Sequence, residues 1–204
     1  MAMPHLRERL QRAVRALDDV PTAPGWNHAE LVELLGDGPL RKAAVLVALV
    51  DRPGAISVLL TRRNDDLAQH AGQVSFPGGG IDESDASALA AALRETHEEI
   101  SVDAALVQPF GYLDAFETIS SYIVTPVVAW LDDGYNATPN PREVAEVFEV
   151  PLAFFLEPAN RHLVRLNFRG RVRELHEFHY GGHRIWGATA AMLMNLVQRM
   201  ETIT

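Results

Sequence analysis

Three glutamates within one short segment have the spacing of a metal-binding face. Glu95, Glu98 and Glu99 lie three and four positions apart, so on an α-helix they are neighbours that repel one another. At about 100° per residue, the opposite side of this helix carries the residues that we expect to face the core: Leu89, Thr96 and Ile100. Clustered carboxylates of this kind suit Mg²⁺ or Mn²⁺. The alternative is an acidic face in water with Arg94 paired to Glu98, which is common on protein surfaces.

A glycine-rich turn precedes this helix and changes its interpretation. Residues 76–80 read FPGGG, and glycine allows the backbone to approach a ligand closely and to adopt unusual dihedral angles. We therefore expect the backbone of this turn, which includes Gly78 and Gly79, to approach a ligand, and one of its carbonyls to join the carboxylates as a metal ligand. The turn, the helix and the carboxylates together predict a site for a metal ion and a phosphate.

The same segment resembles the Nudix box, whose pattern is G-x5-E-x7-R-E-U-x-E-E-x-G-U with U apolar. Residues 78–102 read GGGIDESDASALAAALRETHEEISV. The R-E-x-x-E-E core is matched by Arg94, Glu95, Glu98 and Glu99. With Gly79 as the motif glycine, the loop is one residue longer and Asp85 falls near the first glutamate; with Gly80, the spacing is right but Ala86 stands there. Two later positions also depart from the pattern: Thr96 at the apolar position and Ser101 at the glycine.

A second block is similar to the coenzyme A pyrophosphatase branch of that family. Residues 59–79 read LLTRRNDDLAQHAGQVSFPGG, and the branch pattern is roughly L-L-T-x-R-[SA]-x3-R-x3-G-x3-F-P-G-G. The matching positions are Leu59, Leu60, Thr61, Arg63, Gly72, Phe76, Pro77, Gly78 and Gly79. Asn64 and Ala68 depart from the pattern, and Ala68 removes an arginine often found there. The resemblance extends over about residues 43–195.

The resemblance implies an enzyme that hydrolyses the diphosphate of coenzyme A or acyl-coenzyme A to 3′,5′-ADP and (acyl-)4′-phosphopantetheine. It implies a divalent cofactor, Mg²⁺ or Mn²⁺. The implied ligands are Glu95, Glu98, Glu99 and the Gly79 carbonyl. Arg94 then orients a glutamate by ion pairing. The general base is a glutamate of the box or of a later loop, and the later candidates are Glu143, which we favour, then Glu146 and, more weakly, Glu117.

Basic side chains should recognise such a substrate, because coenzyme A carries a 3′-phosphate. Arg63 matches the branch motif, and Arg62 and His70 are nearby. Neighbouring residues of a strand point to opposite faces, so Arg62 and Arg63 do not share one cleft, and we favour Arg63. For His70, a structural role beneath the loop is as consistent with the sequence as substrate binding.

Composition limits the other function classes. The formal net charge is −9, so duplex nucleic acid is a poor partner. The chain has no cysteine, which excludes disulfides and thiolate metal sites, and no run approaches the ~20 apolar residues of a membrane span. The first residues lack the apolar segment of a secretory signal. We therefore expect a cytoplasmic protein whose partner is a small nucleotide, with no membrane association.

The elements that must position these residues predict an α+β fold, and the resemblance implies a Nudix-type αβα sandwich around a mixed β-sheet. Predicted helices span 6–17, 84–100 (with Ser84 or Asp85 as N-cap) and 189–200, and predicted strands include 43–50, 56–61, 122–131 and a hairpin turning near Arg169 and Gly170. Residues 1–40 should form a helix and lead-in, and residues 41–204 the Nudix domain. The amphipathic first helix and apolar last helix could build a homodimer.

Two other functions stay open. One is the same chemistry on another dinucleotide such as ADP-ribose or NADH. The other is a catalytically silent, nucleotide-sensing Nudix domain, although such proteins usually lose box carboxylates and all three are present here. A P-loop phosphotransferase and a serine hydrolase are disfavoured, because the chain contains neither G-K-[ST] after a glycine loop nor G-x-S-x-G.

Overall fold

The structure is a computed structural model, and it describes residues 3–35, 38–168 and 170–203. The helices are α1 (Met3–Ala13), α2 (His28–Leu31), α3 (Ala88–Ile100), α4 (Leu152–Leu156) and α5 (Gly187–Thr202). The strands are β1 (Arg41–Arg52), β2 (Ala55–Arg63), β3 (Val74–Ser75), β4 (Gly78–Gly80), β5 (Val107–Tyr112), β6 (Phe116–Glu117), β7 (Tyr122–Leu131), β8 (Val144–Pro151), β9 (His162–Phe168), β10 (Arg171–Tyr180) and β11 (His183–Ile185).

The glycine segment is inserted into the main sheet between β1 and β2. These two strands pair antiparallel only near their shared turn, from Leu49 to Arg52 on β1. Further along, the same edge of β1 pairs with β4, and the matching edge of β2 pairs with β3. On their outer edges β1 runs parallel to β7 and β2 runs antiparallel to β8. The β3–β4 segment therefore lies where β1 and β2 diverge.

Helices cover both faces of this mixed sheet. Alternate residues of β1 enter two different cores: Val47 and Leu49 enter one, Leu46 and Ala48 the other. The second core contains α3, whereas the first contains residues of α1, α4 and α5. A strand buried on both faces reads as a continuous apolar run, which is how β1 reads. The predicted αβα sandwich around a mixed sheet is confirmed.

Two predicted helix boundaries are wrong. Helix α3 begins at Ala88, not at Ser84 or Asp85, because Ser87 is the N-cap and its hydroxyl accepts the Ala90 N–H at 3.1 Å. The carboxylate of Asp85 is engaged elsewhere, as described below. Helix α1 ends at Ala13 instead of continuing to residue 17, because the backbone of residue 15 pairs with β5.

The other predicted elements are present. The β1–β2 hairpin, β7 and the last helix lie where the sequence places them. Strands β9 and β10 form the predicted hairpin, with residue 169 of its turn outside the described residues. No helix within the described ranges is long and apolar enough to cross a bilayer.

The apolar side of α1 packs against the core of its own chain. Leu10 and Ala13 of α1 are buried in the same core as α5, and the Arg9 side chain donates to the Met200 carbonyl at 2.9 Å. The amphipathic pattern of α1 is thus accounted for by packing of its described side chains within the chain, and the homodimer stays a prediction.

Candidate active site

The three glutamates of α3 occupy different environments. The Glu98 side chain is 53% exposed and that of Glu95 is 17% exposed, whereas that of Glu99 is only 3% exposed. The expectation that all three lie away from the buried side is therefore wrong for Glu99. Its carboxylate lies beneath the inserted glycine strand, where it accepts the Gly78 N–H at 3.1 Å, and the Arg63 guanidinium lies 3.9 Å from its other oxygen.

Arg94 joins the loop, the glycine strand and two glutamates. Its guanidinium donates to both carboxylate oxygens of Asp85, at 3.1 and 2.9 Å. It also donates to Glu95 at 2.9 Å, to Glu98 at 3.2 Å and to the Gly80 carbonyl at 3.0 Å. The predicted Arg94–Glu98 pair is present, but as one part of this larger network. The charge-assisted hydrogen bond to Arg94 also lowers the pKa of Asp85.

Asp85 is a residue whose role the sequence indicated only in part. Its other interaction is with its own loop, since it accepts the Asp82 N–H at 2.8 Å. A carboxylate already engaged in this way no longer caps the helix, which explains why α3 starts after Ser87. Asp85 therefore fixes the orientation of Arg94 from the loop side.

The buried carboxylates of the site are short of positive charge. Burial raises the pKa of Glu99 to about 7, against the opposing effects of the Gly78 N–H and Arg63, and the negative charges of Glu95 and Glu143 add to the rise. Burial also raises the pKa of Glu95, although Arg94 opposes it. A bound cation would offset both effects, because it favours the charged form of each carboxylate.

The donor set of this region fits a hard divalent cation. Glu95, Glu98 and Glu99 lie within one turn of α3 and supply carboxylate oxygens, and hard oxygen ligands suit Mg²⁺ and Mn²⁺. Across the described part of the chain, no three acidic or histidine side chains converge closely enough to ligate one ion as they stand. Arg94 forms ion pairs with two of the three glutamates, Glu95 and Glu98. Both carboxylates must therefore turn away from its guanidinium before they can bind a cation.

Two glycines of β4 make close contacts, one with backbone and one with the end of a side chain. Gly78 has φ +147°, and a Cβ there would collide with the backbone of Ala44 and Val45 on β1. A Cβ on Gly79 would lie 2.6–2.7 Å from the carboxylate atoms of Glu95. Real Cβ contacts are not that short, so Gly79 allows Glu95 to lie against the strand.

The two arginines that end β2 point to opposite faces, as predicted. Arg63 faces Glu99, and its Nε is buried without a hydrogen-bond partner in the described structure. Arg62 faces the α5 side, where it pairs with Asp65 at 2.7 Å. His70 does not pack beneath its loop: it is exposed, with φ +58°, and its Nδ1 lies 2.9 Å from the Gln73 amide oxygen.

Of the three later base candidates, the structure brings Glu143 to the carboxylates of α3. Its charge contributes to the raised pKa of both Glu95 and Glu99. Glu146 faces the α5 side, 3.4 Å from His183. Glu117 is buried on β6 and accepts the Gly25 N–H of the lead-in at 2.8 Å.

Asn140 is a site residue that sequence reasoning missed. Its side-chain amide donates to the Glu143 carboxylate at 3.2 Å, and its backbone N–H donates to the Glu99 carbonyl at 2.8 Å. It therefore connects the end of α3 to the loop that carries Glu143. The sequence contained a signal, because Asn-Pro-Arg-Glu is a turn sequence in which an Asn side chain bonds to nearby groups.

Comparison with known proteins matches the NUDIX domain model to residues 40–166. The uncharacterized Nudix hydrolase NudL of Photorhabdus laumondii is 40% identical over 161 residues, which cover 79% of this chain and 86% of the relative. NudL of Escherichia coli K12 is 40% identical over 156 residues, covering 76% and 81%.

Solved structures share the fold. A Nudix hydrolase from M. Smegmatis, RenU, superimposes with a TM-score of 0.55 at 22% identity, over 83% of this chain and 98% of that one. A MutT/nudix family protein from Enterococcus faecalis gives a TM-score of 0.53 at 15% identity, over 99% of this chain and 75% of that one.

Proposed function

Because this chain belongs to the Nudix family of hydrolases, which act on phosphorus-containing anhydrides, we propose that its substrate is coenzyme A or acyl-coenzyme A. The proposed products are 3′,5′-ADP and 4′-phosphopantetheine or its acyl form. Nudix hydrolases generally use a divalent metal, and for this chain we propose Mg²⁺ or Mn²⁺. The proposed partner is thus a small nucleotide rather than nucleic acid.

The relationship of Arg63 to Glu99 carries this proposal. Arg63 comes from the block that resembles the coenzyme A branch, and its guanidinium lies 3.9 Å from a carboxylate of the Nudix box. Its Nε is buried without a hydrogen-bond partner among the described residues. The Arg63 side chain is 28% exposed, so a phosphate oxygen can reach its guanidinium, and hydrogen bonds between guanidinium groups and phosphates are strong and directional.

The proposed cation ligands are Glu95, Glu98, Glu99 and the Gly79 carbonyl. A divalent cation, when bound, neutralises the charge of the diphosphate and acidifies the attacking water. Arg94 keeps Glu95 and Glu98 on one side of α3, and the Gly78 N–H holds Glu99 beneath β4. These contacts support the ligand set because they limit how far each carboxylate must move.

The remaining groups bind the substrate and move the proton. Arg63 donates to the diphosphate oxygens, and the backbone of Gly78 and Gly79 lines the approach to them. Glu143 accepts a proton from a water molecule while the oxygen of that water forms a bond to one phosphorus. The bond from this phosphorus to the bridging oxygen breaks, and the other phosphate leaves. In this proposal Arg62 and His70 lie outside the diphosphate contacts, because Arg62 faces the other side of β2 and His70 is exposed.

The deciding experiment is a substrate panel read by mass spectrometry. Wild-type protein and Glu98→Gln are incubated with coenzyme A, acetyl-coenzyme A, ADP-ribose and NADH, with Mg²⁺ or Mn²⁺. We expect 3′,5′-ADP from coenzyme A, and a loss of at least 100-fold in Glu98→Gln. Glu83→Gln is the matched control, because Glu83 is an exposed glutamate of the neighbouring loop. Cleavage of ADP-ribose or NADH alone would refute the substrate, and no cleavage would favour a silent sensing domain.

Metal binding is tested separately by thermal unfolding. A cation that binds only the folded state at about 100 times its Kd stabilises that state by about 2.7 kcal/mol. For a chain of this size that corresponds to a rise in Tm of roughly 5–10 °C. We expect this rise with Mg²⁺ or Mn²⁺ in the wild type and a smaller one in Glu98→Gln. Equal rises in both proteins would exclude Glu98 from the ligand set.

A further inference from the structure

A cavity lies at the end of β2, on the side of the sheet that faces α5. Its volume is about 340 Å³, within the roughly 300–1,000 Å³ range of small-molecule sites. The side chains that give it chemical character are Arg62, Gln73, His183, Arg184 and Trp186. Val74, which also lines it, belongs to the core that contains α5. The cavity is therefore distinct from the carboxylate cluster on the α3 side.

All the ionisable residues that line this cavity are basic. Arg62, His183 and Arg184 line it, whereas their acidic partners do not. Those partners are Asp65 at 2.7 Å from Arg62, Glu146 at 3.4 Å from His183 and 3.9 Å from Arg62, and Glu177 at 2.6 Å from Arg184. These ion pairs hold the basic side chains in place before a ligand arrives, and a phosphate would accept hydrogen bonds from them in competition with the three carboxylates.

Aromatic rings accompany these basic side chains. The Arg184 guanidinium lies 4.9 Å from the centre of the Trp186 ring, and the His183 imidazole stacks on Phe148 with centres 4.0 Å apart. Trp186 is only partly buried, so part of its indole stays available to a ligand. An indole beside guanidinium groups suits a ligand that carries both an aromatic base and a phosphate.

The cavity and the carboxylate cluster meet at the end of one strand. Arg62 and Arg63 are consecutive on β2, so their Cα atoms are about 3.8 Å apart while their side chains point to opposite faces. Strand β2 ends at Arg63. One ligand lying over this strand end would place its diphosphate at Arg63 and its nucleoside in the cavity.

We infer that this cavity binds the phosphorylated purine nucleoside end of the substrate, with the base against Trp186 and the additional phosphate facing Arg62, His183 and Arg184. The inference rests on the proposed function for the choice of ligand. It also gives Arg62 a role in substrate binding on the opposite face from Arg63.

Binding of adenosine 3′,5′-bisphosphate to the full-length protein, measured by calorimetry, tests this inference. We expect Arg184→Gln and Trp186→Ala each to weaken binding about 10-fold, and Trp186→Phe to stay within about threefold of wild type. Arg165→Gln is the matched control, because that arginine is 75% exposed on the β9–β10 hairpin. Adenosine 5′-monophosphate should bind about 10-fold more weakly than the bisphosphate. If Arg184→Gln or Trp186→Ala lowers Tm by more than 5 °C, Arg62→Gln replaces that variant.

Unchanged affinity in these variants, or the same affinity for both nucleotides, would overturn the inference. Coenzyme A hydrolysis is measured on the same proteins, so the two ideas fail separately. If the variants hydrolyse coenzyme A with unaltered KM and bind the bisphosphate with unaltered affinity, the cavity does not bind the nucleoside, and the proposed function stands. Bisphosphate binding that depends on Trp186, without coenzyme A hydrolysis, refutes the proposed function and supports the cavity.

Discussion

The carboxylate of Glu95 lies directly over Gly79, so close that a Cβ at position 79 would be 2.6 Å from its carboxyl carbon. The next residue, Gly80, has open space around the same position, with nothing within 4 Å. There is therefore space for a side chain at position 80 but not at position 79, unless Glu95 moves. At position 79, glycine allows a metal-ligand candidate to contact the backbone that supplies the proposed carbonyl ligand.

We predict that Gly79→Ala displaces Glu95 and lowers kcat by about 10–100-fold. The added methyl group occupies the space of the carboxylate, and small misplacements of reacting groups reduce rates by such factors. Steady-state kinetics with saturating Mg²⁺ or Mn²⁺ measures the effect. Gly80→Ala, the matched control, should keep kcat within twofold. Equal losses in both variants would indicate that the strand itself, and not the Glu95 contact, is sensitive.

Asn140 should act as a positioning residue for Glu143. We predict that Asn140→Ala lowers kcat about 10-fold and leaves KM unchanged, because Glu143 loses the amide that holds its carboxylate. A double-mutant cycle gives the decisive measurement. Once Glu143→Gln is present, adding Asn140→Ala should lower kcat little further.

The control for this cycle is Asn136→Ala, since Asn136 is exposed in the same loop. It should leave kcat at the wild-type value. Multiplicative losses in the Asn140 and Glu143 double variant would contradict the proposed connection between the two side chains.

Much of the fold could be predicted from local pattern. The apolar runs of β1, β2 and β7 are long and bounded by turn residues, so the strands were predictable from composition and order. The start of α3 was not predictable in this way. Ser84, Asp85 and Ser87 are all good N-cap residues, and the choice depends on Arg94, nine positions after Asp85, taking up the Asp85 carboxylate.

The candidate residues of the site could be named from the sequence, but their arrangement could not. A helical wheel gives the direction of Glu99 but not the glycine strand that covers it, which comes from a segment 21 residues earlier. The sequence favoured Glu143 over Glu146 but did not give their surroundings, because the contacts of Glu143 with Asn140 and of Glu146 with His183 depend on how separate segments pack.

Glu117 should prove structural and not catalytic. Its carboxylate is buried, accepts the Gly25 N–H and contacts the His28 imidazole at 2.7 Å. We predict that Glu117→Gln lowers the free energy of unfolding by about 1–3 kcal/mol, because the replacement leaves these buried groups poorly matched. Urea unfolding measures this change, and kcat at 25 °C should stay within twofold of wild type. A large loss of kcat at unchanged stability would instead make Glu117 a base candidate again.

Stability in acid should depend on Asp114, which ties α5 to the connection between β5 and β6. Burial alone would raise the pKa of Asp114, but the Asn195 amide and the Arg199 and Arg15 guanidinium groups outweigh it and lower the pKa. Arg199 donates to its two oxygens at 3.0 and 2.8 Å. A carboxylate with a lowered pKa in the folded state stabilises that state above its unfolded pKa, about 3.9.

The contribution of Asp114 is therefore full near neutral pH and is lost as pH falls below about 4 towards the folded pKa. We predict that Asp114→Asn lowers the free energy of unfolding by about 1–2 kcal/mol at pH 7, with a smaller difference from wild type at pH 3. Urea titrations at both pH values measure it. Asp66→Asn, an exposed aspartate of the loop after β2, is the control and should change stability little at either pH. A difference between Asp114→Asn and wild type that is the same at pH 3 and pH 7 would show that Asp114 acts through packing and not through its charge.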